Sequence, residues 1–374
     1  MFGGVGLAVL VLLALLWSCQ PRSLREQVGP TSPSGQQSIV ARVRLFLPLI
    51  TSSGRDAIAQ AVPVPSSSPV PKPPATPSPS PTRVPTATPA PPTPTATPFP
   101  GPITKQTKMG VGVYDSGGGY LVDAIYRLRP SVILLMDPSI SLAREVRQLF
   151  PRALIIGRHF VKEQPLDNPV QRGQQFADKV AQLAVPLKGV VDAWVSYNEI
   201  TNSGNFDNYR AYNAFQTAFA RRLQGYYGIS AVAGNDATGV VQPEDYARFF
   251  REAIESSDYF GIHSYSPSGA LTLTAESRYY ILRYRLIHDA LNKAGVKHGP
   301  FILTETGLWD GWRGLVSEEK MAHDFMWLSD EMDKDDYIEG QAIFGIFGRD
   351  EWESFDVMGT SLPDRLGKYK EPVK

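Results

Sequence analysis

The chain has a single cysteine, Cys19, among 374 residues. Because it falls in the leader, the rest of the chain holds no disulfide, thiolate nucleophile or cysteine zinc site, and its stability has to come from burial. Excess charge of either sign is missing too: 37 Lys and Arg stand against 37 Asp and Glu. Nothing in that balance suggests nucleic acid as a partner. Histidine is scarce, with 5 in the chain. No His-x-His or clustered Asp/His set appears, so no metal is expected. The Gly-rich phosphate fingerprint is missing after the first strand-like run, which argues against an open doubly wound sheet. No cofactor is expected.

Proline, by contrast, is plentiful but crowded before residue 103, and it divides the chain into a leader, a linker and one long folded segment. Val5 to Trp17 is apolar and uncharged, and reads as an export signal over residues 1–19. The string Leu16-Trp17-Ser18-Cys19 resembles a bacterial lipoprotein signal, in which Cys19 would be lipidated. An uncleaved membrane anchor is the other reading, although the run falls slightly short of the ~20 apolar residues needed to span. Each version places the remainder outside the cytoplasm. Residues 20–61 are poorly defined. Residues 62–102 are Pro, Thr, Ser and Ala, cannot pack a core, and at ~3.1 Å per residue form a stalk on the order of 100 Å long.

Residues 103–374 alternate short β-branched runs with amphipathic stretches. Eight runs are counted: 109–115, 131–137, 153–160, 191–199, 229–236, 258–266, 301–307 and 340–348. Between them, Leu121, Ile125 and Leu128 share one helical face, as do Phe176, Val180 and Leu183, and Tyr212, Phe215 and Phe219. Helix starts are expected at Asp207 or Asn208 and at Ser317. Eight strands alternating with helices in ~270 residues predict an α/β fold, a closed (β/α)8 TIM barrel.

Each run starts apolar and ends polar: Asp115, Asp137, Arg158 with His159, Asn198 with Glu199, Asn235 with Asp236, His263 with Tyr265, Glu305, and Arg349 with Asp350. In a barrel these ends meet at one mouth. A single polar strand end is a routine helix cap, and Asp137 and Asp236 are expected to cap or to support other groups. Glu199 and Glu305 stand out as facing carboxylates, the arrangement needed when one group attacks an anomeric carbon and another protonates the leaving oxygen.

This pattern resembles clan A glycoside hydrolases, the barrel superfamily that includes the family 5 cellulases and mannanases. The resemblance spans Met109 to about Gly348 and rests on Asn198-Glu199, His263-Ser264-Tyr265 and Glu305 at the ends of the fourth, sixth and seventh runs. It implies that Glu199 is the acid/base, that Asn198 binds the hydroxyl beside the reacting carbon and that Glu305 is the nucleophile. It also implies that Tyr265 hydrogen-bonds Glu305 while His263 lines the subsite. Arg158 and His159 have approximate counterparts and are carried over as subsite lining. The tryptophan many members have at the end of strand eight is missing, leaving Phe347 or Trp352 in its place.

The implied activity is retaining hydrolysis of a β-linked poly- or oligosaccharide by a monomeric domain outside the cytoplasm, possible membrane anchoring residing in the N-terminus. For Tyr265, packing at the barrel rim is an equal reading. Trp309 and Trp312 are either sugar-stacking platforms or a hydrophobic plug under their loop. The alternative function is a stalked carbohydrate-binding or structural surface protein that keeps the barrel without turnover.

Overall fold

The computed structural model describes residues 101–370, apart from 105, 116–118, 268, 273 and 348–351. The leader, Cys19, the segment 20–61, the linker through residue 100, and Arg349 and Asp350 lie outside the described residues. Within them, eight parallel strands close in sequence order: β1 (Gly110–Val113), β2 (Val132–Met136), β3 (Leu154–Arg158), β4 (Ala193–Val195), β5 (Ser230–Gly234), β6 (Tyr259–Ser266), β7 (Phe301–Leu308) and β8 (Ile338–Ile346). This is the (β/α)8 barrel that the eight runs predict, and every run overlaps one strand, β7 passing the end of its run and β8 starting ahead of its own.

Strand side chains alternate between two apolar layers because successive Cβ atoms point to opposite faces. Val132, Leu134, Ile156, Ala193, Val195, Val232 and Ile302 form one cluster with Tyr114 and Tyr265. Ile133, Leu135, Ile155, Trp194, Phe301 and Leu303 join the helices in the other. Each fully buried side chain of this size contributes roughly 1.5–3 kcal/mol by leaving water.

The helices are α1 (Gly119–Leu128), α2 (Ile140–Leu149), α3 (Pro169–Ala184), α4 (Phe206–Tyr227), α5 (Pro243–Phe249), α6 (Arg251–Glu255), α7 (Ala275–Ile281), α8 (Arg283–Lys293), α9 (Glu318–Met332) and α10 (Leu362–Gly367). Ser317 caps α9 as expected, its hydroxyl accepting the Lys320 amide, with Glu318 and Glu319 in the first turn. The start of α4 is corrected: Asn205 is the cap, accepting the Asn208 amide. A sequence of Asn202, Asn205, Asp207 and Asn208 offers several caps, and the aromatic Phe206, stacked on Phe249 at 4.8 Å, extends the helix forward.

Gly173 on α3 lies where that helix crosses α4, and a Cβ there would come within 2.3 Å of the Phe215 carbonyl oxygen. Gly173→Ala should therefore force the two helices apart at a cost of about 1–3 kcal/mol. The urea midpoint should fall at unchanged slope; an unmoved midpoint would show that the two helices do not pack closely through this residue.

Candidate active site

Side chains from the ends of β3, β4, β6 and β7 meet, and the backbone after β2, β4 and β5 is bent. Asp137, Glu199 and Asn235, following β2, β4 and β5, all have positive φ, of 44°, 53° and 64°. Such a conformation costs a non-glycine residue of order 1–3 kcal/mol, and residues held this way cluster at sites that do chemistry. For Glu199 the neighbouring strand end supplies the restraint, its amide donating to the Asn235 carbonyl at 2.9 Å. Asn198 is held from the other side: its amide donates to Gln164 Oε1 at 2.7 Å, and Gln164 Nε2 donates to its carbonyl at 3.1 Å.

The β6–β7 ladder slips register between Ile262 and His263, so that Ile262 pairs with Leu303 but His263 pairs with Glu305. Irregularities of this kind re-aim side chains beside active sites. Here the slip sets His263 next to Glu305, with Thr304 displaced to donate its hydroxyl to Asn235 Oδ1 at 2.7 Å.

Glu305 is buried, and both of its oxygens are engaged. Arg158 donates to Oε1 at 2.7 Å and the Tyr265 hydroxyl to Oε2 at 2.8 Å. Burial, with the Glu305 charge adding to it, pushes the Tyr265 phenol well above its ordinary value, so it stays a donor. The rim-packing alternative for Tyr265 is set aside: the ring is buried, but its hydroxyl is bonded to a carboxylate.

Glu199 lies opposite, its side chain 41% exposed against 6% for Glu305. His263 Nδ1 is 2.7 Å from Glu199 Oε1 and 3.6 Å from Glu305 Oε2. One oxygen of each carboxylate and the imidazole nitrogen thus fall within 4.8 Å of one another. A cation could use that spacing, but both Glu305 oxygens are already taken by Arg158 and Tyr265.

The proton balance follows from these contacts. Although its side chain opens to the mouth, the carboxyl of Glu199 is closely surrounded, and burial pushes its pKa up; the His263 charge and hydrogen bond, then Arg158, outweigh this and leave it lowered. Burial would lower His263, but the charges of Glu305 and then Glu199 outweigh it, and the imidazole is raised. In the free site one proton is therefore shared between His263 and Glu199, favouring the imidazole.

The other predicted residues divide. Arg158 touches Glu305 directly, closer than subsite lining implies. His263 is corrected from subsite lining: it is 1% exposed and faces the two carboxylates. His159 gives Nδ1 to Asp137 Oδ1 at 2.6 Å, and Asp137 Oδ2 also accepts the Phe160 amide at 3.1 Å, so Asp137 orients that loop as a supporting group. Trp309 is 49% exposed beside Tyr280 and keeps a free face. Trp312 is a correction. At 4% exposure, with its indole N–H donated to the Phe355 carbonyl at 2.9 Å, it is the plug and offers no face to a sugar. At the end of β8, Phe347 is buried and stacked on Tyr114 at 4.8 Å, while Trp352 stays 42% exposed.

No protein-family model matches the chain, and no curated protein is similar to it in sequence. Solved glycoside hydrolases are among the structures similar to the chain. A family 5 xyloglucan-specific endo-β-1,4-glucanase from a metagenomic library matches over 70% of this chain and 96% of its own, at 13% identity and a TM-score of 0.48. A family 128 endo-β-1,3-glucanase of Amycolatopsis mediterranei matches over 69% and 96%, at 13% identity and 0.46. A family 113 β-1,4-mannanase matches over 71% and 99%, at 10% and 0.43. The likeness is one of fold. What the chain does chemically has to be read from its own residues.

Three groups in this site escaped the sequence pattern. Tyr114, buried with an unpartnered hydroxyl, lies within electrostatic reach of Glu305, Arg158 and Glu199. A tyrosine ending the first run before Asp115 was the available signal. Gln164 sits in a loop of no periodicity, and nothing marked it. Phe160 is 53% exposed after β3 and joins Trp309 and Trp352 as an aromatic at the C-terminal side of the strands.

Proposed function

We propose that the chain is a retaining glycoside hydrolase that cleaves a β-linked poly- or oligosaccharide outside the cytoplasm, with Glu305 as nucleophile and Glu199 as acid/base. The observation that carries this reading is the approach of the two carboxylates, with one oxygen of each inside the 4.8 Å set around His263. Retaining enzymes hold their carboxyl groups ~5–5.5 Å apart, while inverting ones leave room for a water at ~6.5–9.5 Å.

In the first step a Glu305 oxygen attacks the anomeric carbon as the glycosidic C–O bond breaks, and a proton passes from Glu199 to the leaving oxygen. In the second, water attacks the same carbon, gives its proton to Glu199, and Glu305 departs as a carboxylate. Arg158 and Tyr265 fix the direction of attack by binding both Glu305 oxygens. A sugar filling the mouth removes water from the exposed side of Glu199, which raises that group and draws the shared proton from His263 onto it. Asn198, with its backbone clamped by Gln164, is placed to meet the neighbouring hydroxyl. Exposed Trp309, Phe160 and Trp352 match the apolar faces of pyranose rings.

The test is proton NMR of the full chain acting on a panel of β-glucans, β-mannans and aryl β-glycosides. The β-anomer should appear first, before mutarotation. Immediate appearance of the α-anomer would sink the retaining mechanism, and absence of any cleavage across the panel, with glycan binding kept, would leave a carbohydrate-binding barrel.

A further inference from the structure

Asp236 follows β5 and is 3% exposed, with neither carboxylate oxygen in a well-formed hydrogen bond and the hydroxyls of Thr201 and Tyr246 the donors turned toward it. A buried carboxylate served by two loosely aligned hydroxyls is costly to keep charged, and packing gives no reason to keep it. Two more atoms without a well-formed hydrogen bond belong to its surroundings: the Thr201 hydroxyl, two residues after Glu199, and Nε2 of His263. Gly234 pairs with Gly261, so Asp236 and His263 each stand two residues beyond a paired position on neighbouring strands. The groups acting on Asp236 come from every side: Thr201 after β4, Tyr246 of α5, Tyr209 and Tyr212 of α4, His263 of β6, and Glu199. His263 is acted on most strongly by Glu305, Glu199 and Arg158, shares a mutual charge attraction with Asp236, and has the Tyr265 ring at 6.4 Å.

We infer that Asp236 is a positioning residue of the proposed hydrolase: its buried charge, beside His263 at the end of the adjacent strand, helps hold on the imidazole the proton that Glu199 uses. The inference rests on the reading of Glu199 as acid/base. Asp236 touches neither Glu199 nor a sugar, and acts only through His263.

The sign can be worked out. Burial pushes Asp236 up to about 6, against the Thr201 hydroxyl, the His263 charge and the Tyr246 hydroxyl. Below that pH it is uncharged and has no hold on His263. Above it, the negative charge favours the imidazolium, so the proton shared by His263 and Glu199 survives to higher pH than it otherwise would.

Asp236→Asn removes the charge and keeps the shape. The alkaline limb of kcat/KM for an aryl β-glycoside should move to lower pH by roughly half a unit or more. The acid limb should stay where it is, because the wild-type carboxyl is already uncharged there. The His263 imidazole, followed by 15N NMR in the full chain and assigned with His263→Asn, should titrate lower by the same amount. An unmoved imidazole midpoint overturns the inference, as does a kcat reduced equally at every pH with no shift, which would mark a purely structural role. The imidazole titration needs no turnover, so a wild type that hydrolyses nothing overturns the glycosidase reading separately. Should Asp236→Asn not fold, Thr201→Val removes a hydroxyl that favours the Asp236 charge. It should move the imidazole midpoint in the same direction by a smaller amount, and no movement there overturns the inference equally.

Discussion

Glu305→Gln should lower kcat by at least about 10⁴-fold on any substrate the wild type cleaves, with little change in folding, because on the proposed reading it removes the group that forms the covalent intermediate. The glutamine keeps the shape and one carbonyl oxygen, which can still accept from Arg158 or from Tyr265. It cannot attack carbon. With the oxygen toward Arg158, its amide N–H₂ donates to the Tyr265 hydroxyl, which turns to accept, so both contacts at 2.7 and 2.8 Å can be kept and the urea midpoint should move little. Glu305→Ala offers a sharper readout. With the side chain gone, azide can enter from the nucleophile's face and trap the sugar as a glycosyl azide of inverted configuration. Activity within tenfold of wild type in Glu305→Gln, at an unchanged fold, would remove Glu305 from the nucleophile's role.

How far the sequence carries toward this site depends on which force positions each residue. Strand order and the two apolar layers were legible because alternation and burial are written locally, residue by residue, in runs such as VILLM and FILTETGL. Glu199, Glu305, His263 and Tyr265 were legible as a set because strand ends in a barrel must share one mouth. Their mutual contacts were not. The pairing of His263 with Glu305 depends on a register slip on β7, and a slip leaves no mark in the hydrophobic pattern. Hence His263 reads as subsite lining in the sequence and as the bridge between two carboxylates in the fold.

Trp312 and Trp309 show the same limit in a loop. Both stand in GLWDGWRG with equal claims to a sugar, and what separates them is the segment after β8. Ser354 and Phe355 return over the loop, the Trp312 amide donating to the Ser354 carbonyl at 2.7 Å and its indole to the Phe355 carbonyl. A contact between residues 40 apart in an irregular segment is beyond any periodicity argument. Gln164 is missed for the same reason, although it grips Asn198 by both backbone groups. The positive φ of Glu199 belongs here too, since a glutamate carries no local preference for that conformation. It is imposed by the strand-end hydrogen bond to Asn235, and so by the closed barrel itself.

Glu199→Ala should separate the two chemical steps by leaving group. With a poor leaving group such as a sugar, the first step needs the proton, and kcat/KM should fall by about 10²–10⁴-fold, the usual worth of a positioned acid. With 2,4-dinitrophenolate the bond breaks without help, so kcat/KM should stay close to wild type. Deglycosylation still lacks its base, however, so kcat should fall and a burst of one phenolate per active site should precede slow turnover. Azide, needing no base, should speed that second step and give a glycosyl azide of retained configuration, the opposite of the Glu305→Ala product. His263 complicates the outcome in a useful way. In the wild type its proton is shared with Glu199 across 2.7 Å, and in the variant Nδ1 is left facing Glu305, at 3.6 Å from Oε2. With the carboxylate bonded to its Nδ1 gone, the imidazole should titrate lower than in the wild type. An equal loss on poor and good leaving groups, with no burst, would mean that Glu199 serves binding or folding and that the proton comes from elsewhere.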